Sequence, residues 1–245
     1  MKSEFIILII FFISLEALTQ ENPSINLLLQ EADTELEKSN YNEALKKVES
    51  ALALSPDNVM ALEKRINIYY QMNEFKEASK YVNEAILRFP SESGLYYLRG
   101  LTNISRKKYY KAINDFNIAL ELENPVELFK IYLNRAVANT NLQEYELAIE
   151  DLTKSIELNS TNPSAYHSRG AVYYELEGYS LAVDDFKQAI NLSNNNPVTF
   201  FNLGMSYYRL EDKDRACPYF HKACSLGDKN ACRMALMECA KNLPK

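Results

Sequence analysis

Apolar and polar residues alternate with helical period along nearly the whole chain. In NYNEALKKVESALALSPDN, residues 40–58, Ala44, Val48, Ala51 and Leu52 share one face while Glu43, Lys46 and Lys47 point away, and Pro56 ends the pattern. Pro90, Pro125, Pro163 and Pro197 close the corresponding stretches further on. The spacing predicts helices throughout, and a fixed register pairs them: Ala44, Ala78, Ala112, Ala148, Ala182 and Ala216 stand 34, 34, 36, 34 and 34 residues apart.

Other columns keep the same register. Seven residues after each alanine is a second small residue, Ala51, Ala85, Ala119, Ser155, Ala189 and Ala223, and three before it an aromatic, Tyr41, Phe75, Tyr109, Tyr145 and Tyr179, in five of six cases. Twelve before lies another mostly small position (Ala32, Ile66, Gly100, Ala136, Gly170, Gly204), preceded by a large one at Leu28, Leu62, Tyr96, Tyr132, Tyr166 and Phe200. Small side chains let the backbones of a helical hairpin approach to about 8–10 Å, and the large ones fill the grooves. Each repeat is therefore two helices.

Hairpins of 34 residues with small–aromatic–small columns and a closing proline resemble tetratricopeptide repeats over residues 25–230. The resemblance implies an all-α fold, a right-handed α-solenoid of six hairpins at 25–58, 59–92, 93–126, 129–162, 163–196 and 197–230, with a two-residue insertion near Val126 to Leu128 and a capping helix and tail over 231–245. Glu31 and Glu35 replace apolar residues in the first leading helix, so that hairpin is expected to fray.

Arg65, Arg99, Arg135 and Arg169 occupy one position of the leading helix, and Asp115, Asp151 and Asp185 one position of the trailing helix. The register predicts structural ion pairs Arg99–Asp115, Arg135–Asp151 and Arg169–Asp185, with Arg65 left without such a partner because Tyr81 stands in the aspartate's place. A pair of this kind orients helices more than it stabilises them.

The N-terminus changes the setting. Residues 1–19 read as a signal peptide: Lys2, an apolar core over Phe5–Leu15 that is too short for a bilayer, and small residues Ala17 and Thr19 before cleavage near Thr19/Gln20, with a short linker over 20–24. If uncleaved, it would make the protein a membrane-anchored adaptor. The expected location is exported, periplasmic or secreted, with no membrane span in the mature chain. Net charge is −6, and −5 once Lys2, Glu4 and Glu16 leave, which gives no footprint for nucleic acid. Sequons at Asn103, Asn159 and Asn191 matter only in a glycosylating pathway, and Asn103 falls on a packing position.

All four cysteines, Cys217, Cys224, Cys232 and Cys239, lie in ACPYFHKACSLGDKNACRMALMEC. The members of Cys217/Cys224 and of Cys232/Cys239 are two helical turns apart, about 10.5 Å along an axis, beyond disulfide reach. Folding back at Gly227, with Asp228 or Asn230 as the next helix cap, sets Cys224 level with Cys232 and Cys217 with Cys239. KACSLGDKNAC also resembles the cysteine-rich Sel-like helical hairpins, which independently suggests Cys224–Cys232. A disulfide-locked cap fits export and the exposed end of a solenoid. Two alternatives stay open: reduced core thiols, and a redox or metal-binding module using the four C-terminal cysteines, a metal site taking Cys217, Cys224, Cys232 and His221.

With His167 and His221 the only histidines, and no HExxH, GxSxG, CxxC or phosphate-cradling loop, the chain reads as a non-enzyme needing no cofactor or metal. The tetratricopeptide resemblance implies a concave groove for a peptide or partner protein. Its groove positions map to Asn67, Tyr70, Tyr97, Lys130, Asn134, Asn141, His167, Tyr174, Asn202 and Tyr208. The two-carboxylate clamp of chaperone adaptors is not assembled, since Glu63 and Asn67, Leu98, and Lys130 and Asn134 stand at its positions. The expected role is an exported interaction scaffold, an assembly factor for other exported proteins.

Overall fold

The computed structural model describes residues 23–122, 127–193 and 195–239. The expected signal peptide, its cleavage point, Pro125, Val126 and the tail beyond residue 239 lie outside them. Among the described residues the protein is all helix: thirteen α-helices, a closing π-turn and no strand.

Residues 23–90 form one compact unit. It holds α1 (Pro23–Glu37), α2 (Tyr41–Leu54), α3 (Val59–Gln71) and α4 (Phe75–Arg88). The first hairpin is not frayed. Ile25, Leu29 and Ala32 are buried, while Glu31 turns outward to an ion pair with Lys47 and Glu35 bonds Lys38 and Asn40. The two glutamates sit on the polar face, so three apolar residues on the other suffice to seat the helix.

The second unit, from Ser91, holds α5 (Ser93–Ser105), α6 (Tyr109–Glu121), α7 (Leu128–Asn141), α8 (Tyr145–Leu158), α9 (Pro163–Glu175), α10 (Tyr179–Leu192), α11 (Pro197–Arg209), α12 (Lys213–Ser225), α13 (Lys229–Met234) and the π-turn Ala235–Cys239. Odd-numbered helices lead each hairpin up to α11 and even-numbered ones trail. The closing helix begins at Lys229, two residues before the expected 231, because Asp228 caps it by accepting from the Ala231 amide.

Every leading helix turns into its trailing helix through one left-handed residue, Ser39, Asn73, Lys107, Gln143, Glu177 or Glu211, with φ of 58–63°. None is glycine. The strain, about 1 kcal/mol each, is offset by paired terminal hydrogen bonds, as where Asn73 N–H donates to the Tyr70 carbonyl at 3.0 Å and Glu74 N–H to that of Tyr69 at 2.9 Å.

Across each hairpin the small leading position faces a trailing residue of complementary size. Gly100, Gly170 and Gly204 lie under the rings of Phe116, Phe186 and Phe220, whereas Ala136 shares a core cluster with Leu152. These trailing residues are fully buried. The Asn103 sequon is buried too, its amide donating to Asp115, so it has no room for a glycan.

Candidate functional site

Within the second unit, successive leading helices touch one another directly, α5 to α7, α7 to α9 and α9 to α11, whereas the trailing helices are held mainly by the leading helices beside them. The leading helices thus form a continuous face.

The arginine column braces that face from behind. Arg135 Nε and Nη2 donate to the two Asp151 oxygens at 3.0 and 2.5 Å, and Arg169 grips Asp185 the same way at 2.8 and 2.9 Å. Arg99 instead places both donors on one oxygen, Asp115 Oδ1, at 2.9 and 2.6 Å. Each aspartate is buried. The hydrogen bond to Asp151 is the main reason the Arg135 guanidinium holds its proton even more firmly than usual, and Asp185 does the same for Arg169. Sequence reasoning missed two participants. Asn103 and Asn139, four residues after their arginines, donate to Asp115 and Asp151 at 2.8 and 3.1 Å, and the offset of four shared by these two repeats was the available signal. It also missed that the third guanidinium nitrogen reaches the preceding trailing helix, Arg135 to Asn117 at 2.7 Å and Arg169 to Thr153 at 3.1 Å. Arg65, expected to lack an aspartate, lies 4.1 Å over the Tyr81 ring and 3.5 Å from Glu49. Tyr81 also stacks on Tyr69, whose hydroxyl is pushed up to about 12 by burial first and by its bond to Tyr81 second.

At the C-terminal end Cys217 bonds Cys239 with Cα atoms 5.6 Å apart, and Cys224 bonds Cys232 at 4.6 Å. All four sulfurs are in disulfides in this structure, whereas reduced core thiols, or a metal site with His221, would need them free. Among the described residues no three His, Cys, Asp or Glu side chains converge as a metal site. Gly227, at φ +97°, makes the tight turn between α12 and α13, and Lys213 ties the π-turn through Glu238 at 2.7 Å.

The expected groove residues divide by what they touch. In the first unit Tyr70 packs edge-on against Phe75 at 5.7 Å and Asn67 is half-buried. In the second, several link consecutive leading helices. Asn134 donates to the Tyr97 hydroxyl at 3.2 Å, Arg209 to the Tyr174 hydroxyl at 3.2 Å, and His167 Nδ1 is 2.8 Å from Thr199 Oγ1. Burial depresses the His167 pKa, keeping the imidazole neutral. His167 also borders a cavity of about 370 Å³ lined by Ser164, Ser168, Asn196 and Thr199. Lys130 pairs with Glu127 at 2.7 Å, Asn141 is exposed and bonds its own helix at Val137, Lys213 covers the Tyr208 ring at 5.3 Å, and Asn202 is half-buried. A further column was not foreseen: Leu101, Val137, Ala171 and Met205, half-buried, stand four residues after Tyr97, Leu133, His167 and Phe201, hence on the same helix faces.

Comparison with known proteins bears on this fold. Residues 138–177, 172–211 and 198–229 match the family descriptions "TPR repeat" and "Tetratricopeptide repeat". Residues 138–229 are tetratricopeptide repeats. Residues 27–124 also match the description "TT21 fifth ARM repeats domain". The chain is 29% identical over 112 residues to the Hsp70-Hsp90 organising protein of Plasmodium falciparum, covering 42% of itself and 19% of that protein. It thus spans about a fifth of the length of that curated relative. In structure it is similar to PilW, a type IV pilus biogenesis factor, at a TM-score of 0.80 and 17% identity, covering 89% of this chain and 100% of that one. It is also similar to YrrB, described as having an unusual peptide-binding site, at 0.60 and 21%, covering 80% and 98%. Tetratricopeptide proteins bind protein or peptide partners and are typically non-enzymatic scaffolds.

Proposed function

We propose that this protein is an exported, non-enzymatic scaffold that takes an extended segment of a partner protein along the leading-helix face of residues 91–239, as an assembly factor does. The observation that carries the reading is the half-exposed apolar column Leu101, Val137, Ala171 and Met205 beside Asn134, Asn202 and Tyr208. Apolar side chains of an extended segment gain contact there, while amide and hydroxyl groups bond its backbone at modest entropy cost. The peptide-binding description of YrrB supports the same use of the fold. Export is supported by the two disulfides, which persist in oxidising compartments, and by the apolar run Phe5–Leu15. Among the described residues no helix is long and apolar enough to cross a membrane.

Selection from a random peptide display library on the purified chain, followed by fluorescence anisotropy of the enriched peptides, tests this. The expected peptides are rich in apolar residues, and Val137→Lys with Met205→Lys weakens them at least tenfold. Failure to enrich any peptide, or peptides indifferent to both substitutions, refutes the groove.

A further inference from the structure

The tight turns that join leading to trailing helices form one edge of the second unit, and two neighbouring turns there carry opposite charge. The turn of the third hairpin holds Arg106, Lys107, Lys108 and Lys111. The turn of the fourth holds Glu144 and Glu146. Among the described residues none of these six charges forms an ion pair, and five are exposed, Arg106 being half-buried. The same two turns carry exposed apolar residues: Tyr110 is 74% and Leu147 52% exposed.

Folding does not require those apolar residues. The position of Leu147 carries Glu43, Glu77, Lys111 and Arg215 in four other repeats and the exposed Leu181 in the fifth, and the position of Tyr110 carries Asn42, Lys76, Glu146, Ser180 and Asp214. A charged turn edge that gives up polar side chains for exposed apolar ones in adjacent repeats has the composition of an interface centre with a charged rim.

We propose that this edge pairs two copies of the chain about a two-fold axis passing between the third and fourth turns. Such an axis sets the basic turn of each copy against the acidic turn of the other, twice, with Tyr110 of one facing Leu147 of its mate. An isologous contact needs a patch complementary to itself, and adjacent turns of opposite sign provide it. A foreign partner would have to match both signs, whereas a second copy does so by construction.

Sedimentation velocity of the purified full chain, with both disulfides intact, tests the pairing at low and high salt. The expected result is a concentration-dependent doubling of mass at 50 mM salt, weakened about tenfold or more at 500 mM as screening shortens the reach of the charges. Lys107→Glu with Lys108→Glu, and separately Glu144→Lys with Glu146→Lys, each give a monomer, while an equimolar mixture of the two variants restores the dimer. Each of these substitutions installs a residue that an equivalent turn already carries, at Glu177, Glu144, Lys108 and Lys76 respectively, so the fold tolerates them. Circular dichroism checks that it does. A monomer at low salt and high concentration, a dimer indifferent to both variants, or a mixture that stays monomeric overturns the proposal. So does a monomer that instead binds a synthetic Leu/Lys amphipathic peptide in a manner abolished by Glu144→Lys, which would assign the edge to a basic helical partner.

Discussion

An alanine at position 100 probes how tightly each hairpin is closed. A Cβ there would stand 2.5, 2.8 and 2.9 Å from Cε1, Cζ and Cδ1 of the Phe116 ring. Carbon atoms settle near 3.5 Å or beyond, so the ring must retreat by roughly 1 Å in a site where it is fully buried. Overpacking of this kind costs about 1–3 kcal/mol, and the better helix propensity of alanine returns about 1 kcal/mol. Gly100→Ala is therefore expected to change the stability of the second unit by a net loss of about 0–2 kcal/mol. Phe116→Leu alone leaves a void beside Gly100 and costs about 1–2 kcal/mol. Together the two substitutions reproduce the Ala136–Leu152 pair of the fourth hairpin, and the double variant is expected to be at least 1 kcal/mol more stable than the sum of the single losses. Guanidinium unfolding with amide exchange on α5 and α6 reads this out, because a repeat array can open locally before it unfolds as a whole. A coupling energy within 0.5 kcal/mol of zero would refute the claim that size matching across the hairpin closes it.

Further outcomes follow from the other contacts. Replacing Cys224 and Cys232 by serine removes a link across 8 residues and is expected to cost about 2.5 kcal/mol, against about 3.4 kcal/mol for Cys217 and Cys239 across 22. In both cases amide protection should fall first over residues 226–239 while α5 to α8 keep theirs. Asp151→Ala leaves the Arg135 guanidinium and the Asn139 amide without their shared acceptor, for a loss of about 2–3 kcal/mol in denaturant unfolding, below the cost of a sealed pair because Arg135 still meets solvent. His167 is held neutral in the folded chain while the unfolded chain takes a proton near pH 6.5, so its contribution is complete above that pH and is lost as pH falls toward its depressed folded value. Wild type should thus lose more stability between pH 7.5 and 5 than His167→Asn, and equal losses would contradict the burial of a neutral ring.

The hairpins could be read along the chain because their contacts are local. Gly100 meets Phe116 sixteen residues on, Arg135 meets Asp151 at the same distance, and the cysteines of the cap face one another across a single turn. Wherever a contact spans one hairpin, the periodic small and large positions specify it, since helix pitch leaves few alternatives. Choices among equally placed polar groups needed the folded molecule. The aspartates take Asn103 and Asn139 as third partners, Arg65 settles on Tyr81, and Glu31 and Glu35 fall on the outer face of a helix that then seats normally. Tyr97, Tyr174 and His167, suited by type to face a ligand, are partly committed to neighbouring helices. Those outcomes depend on how one hairpin leans on the next, a spacing between repeats that no single periodic pattern encodes, and it is this lean that brings leading helices together.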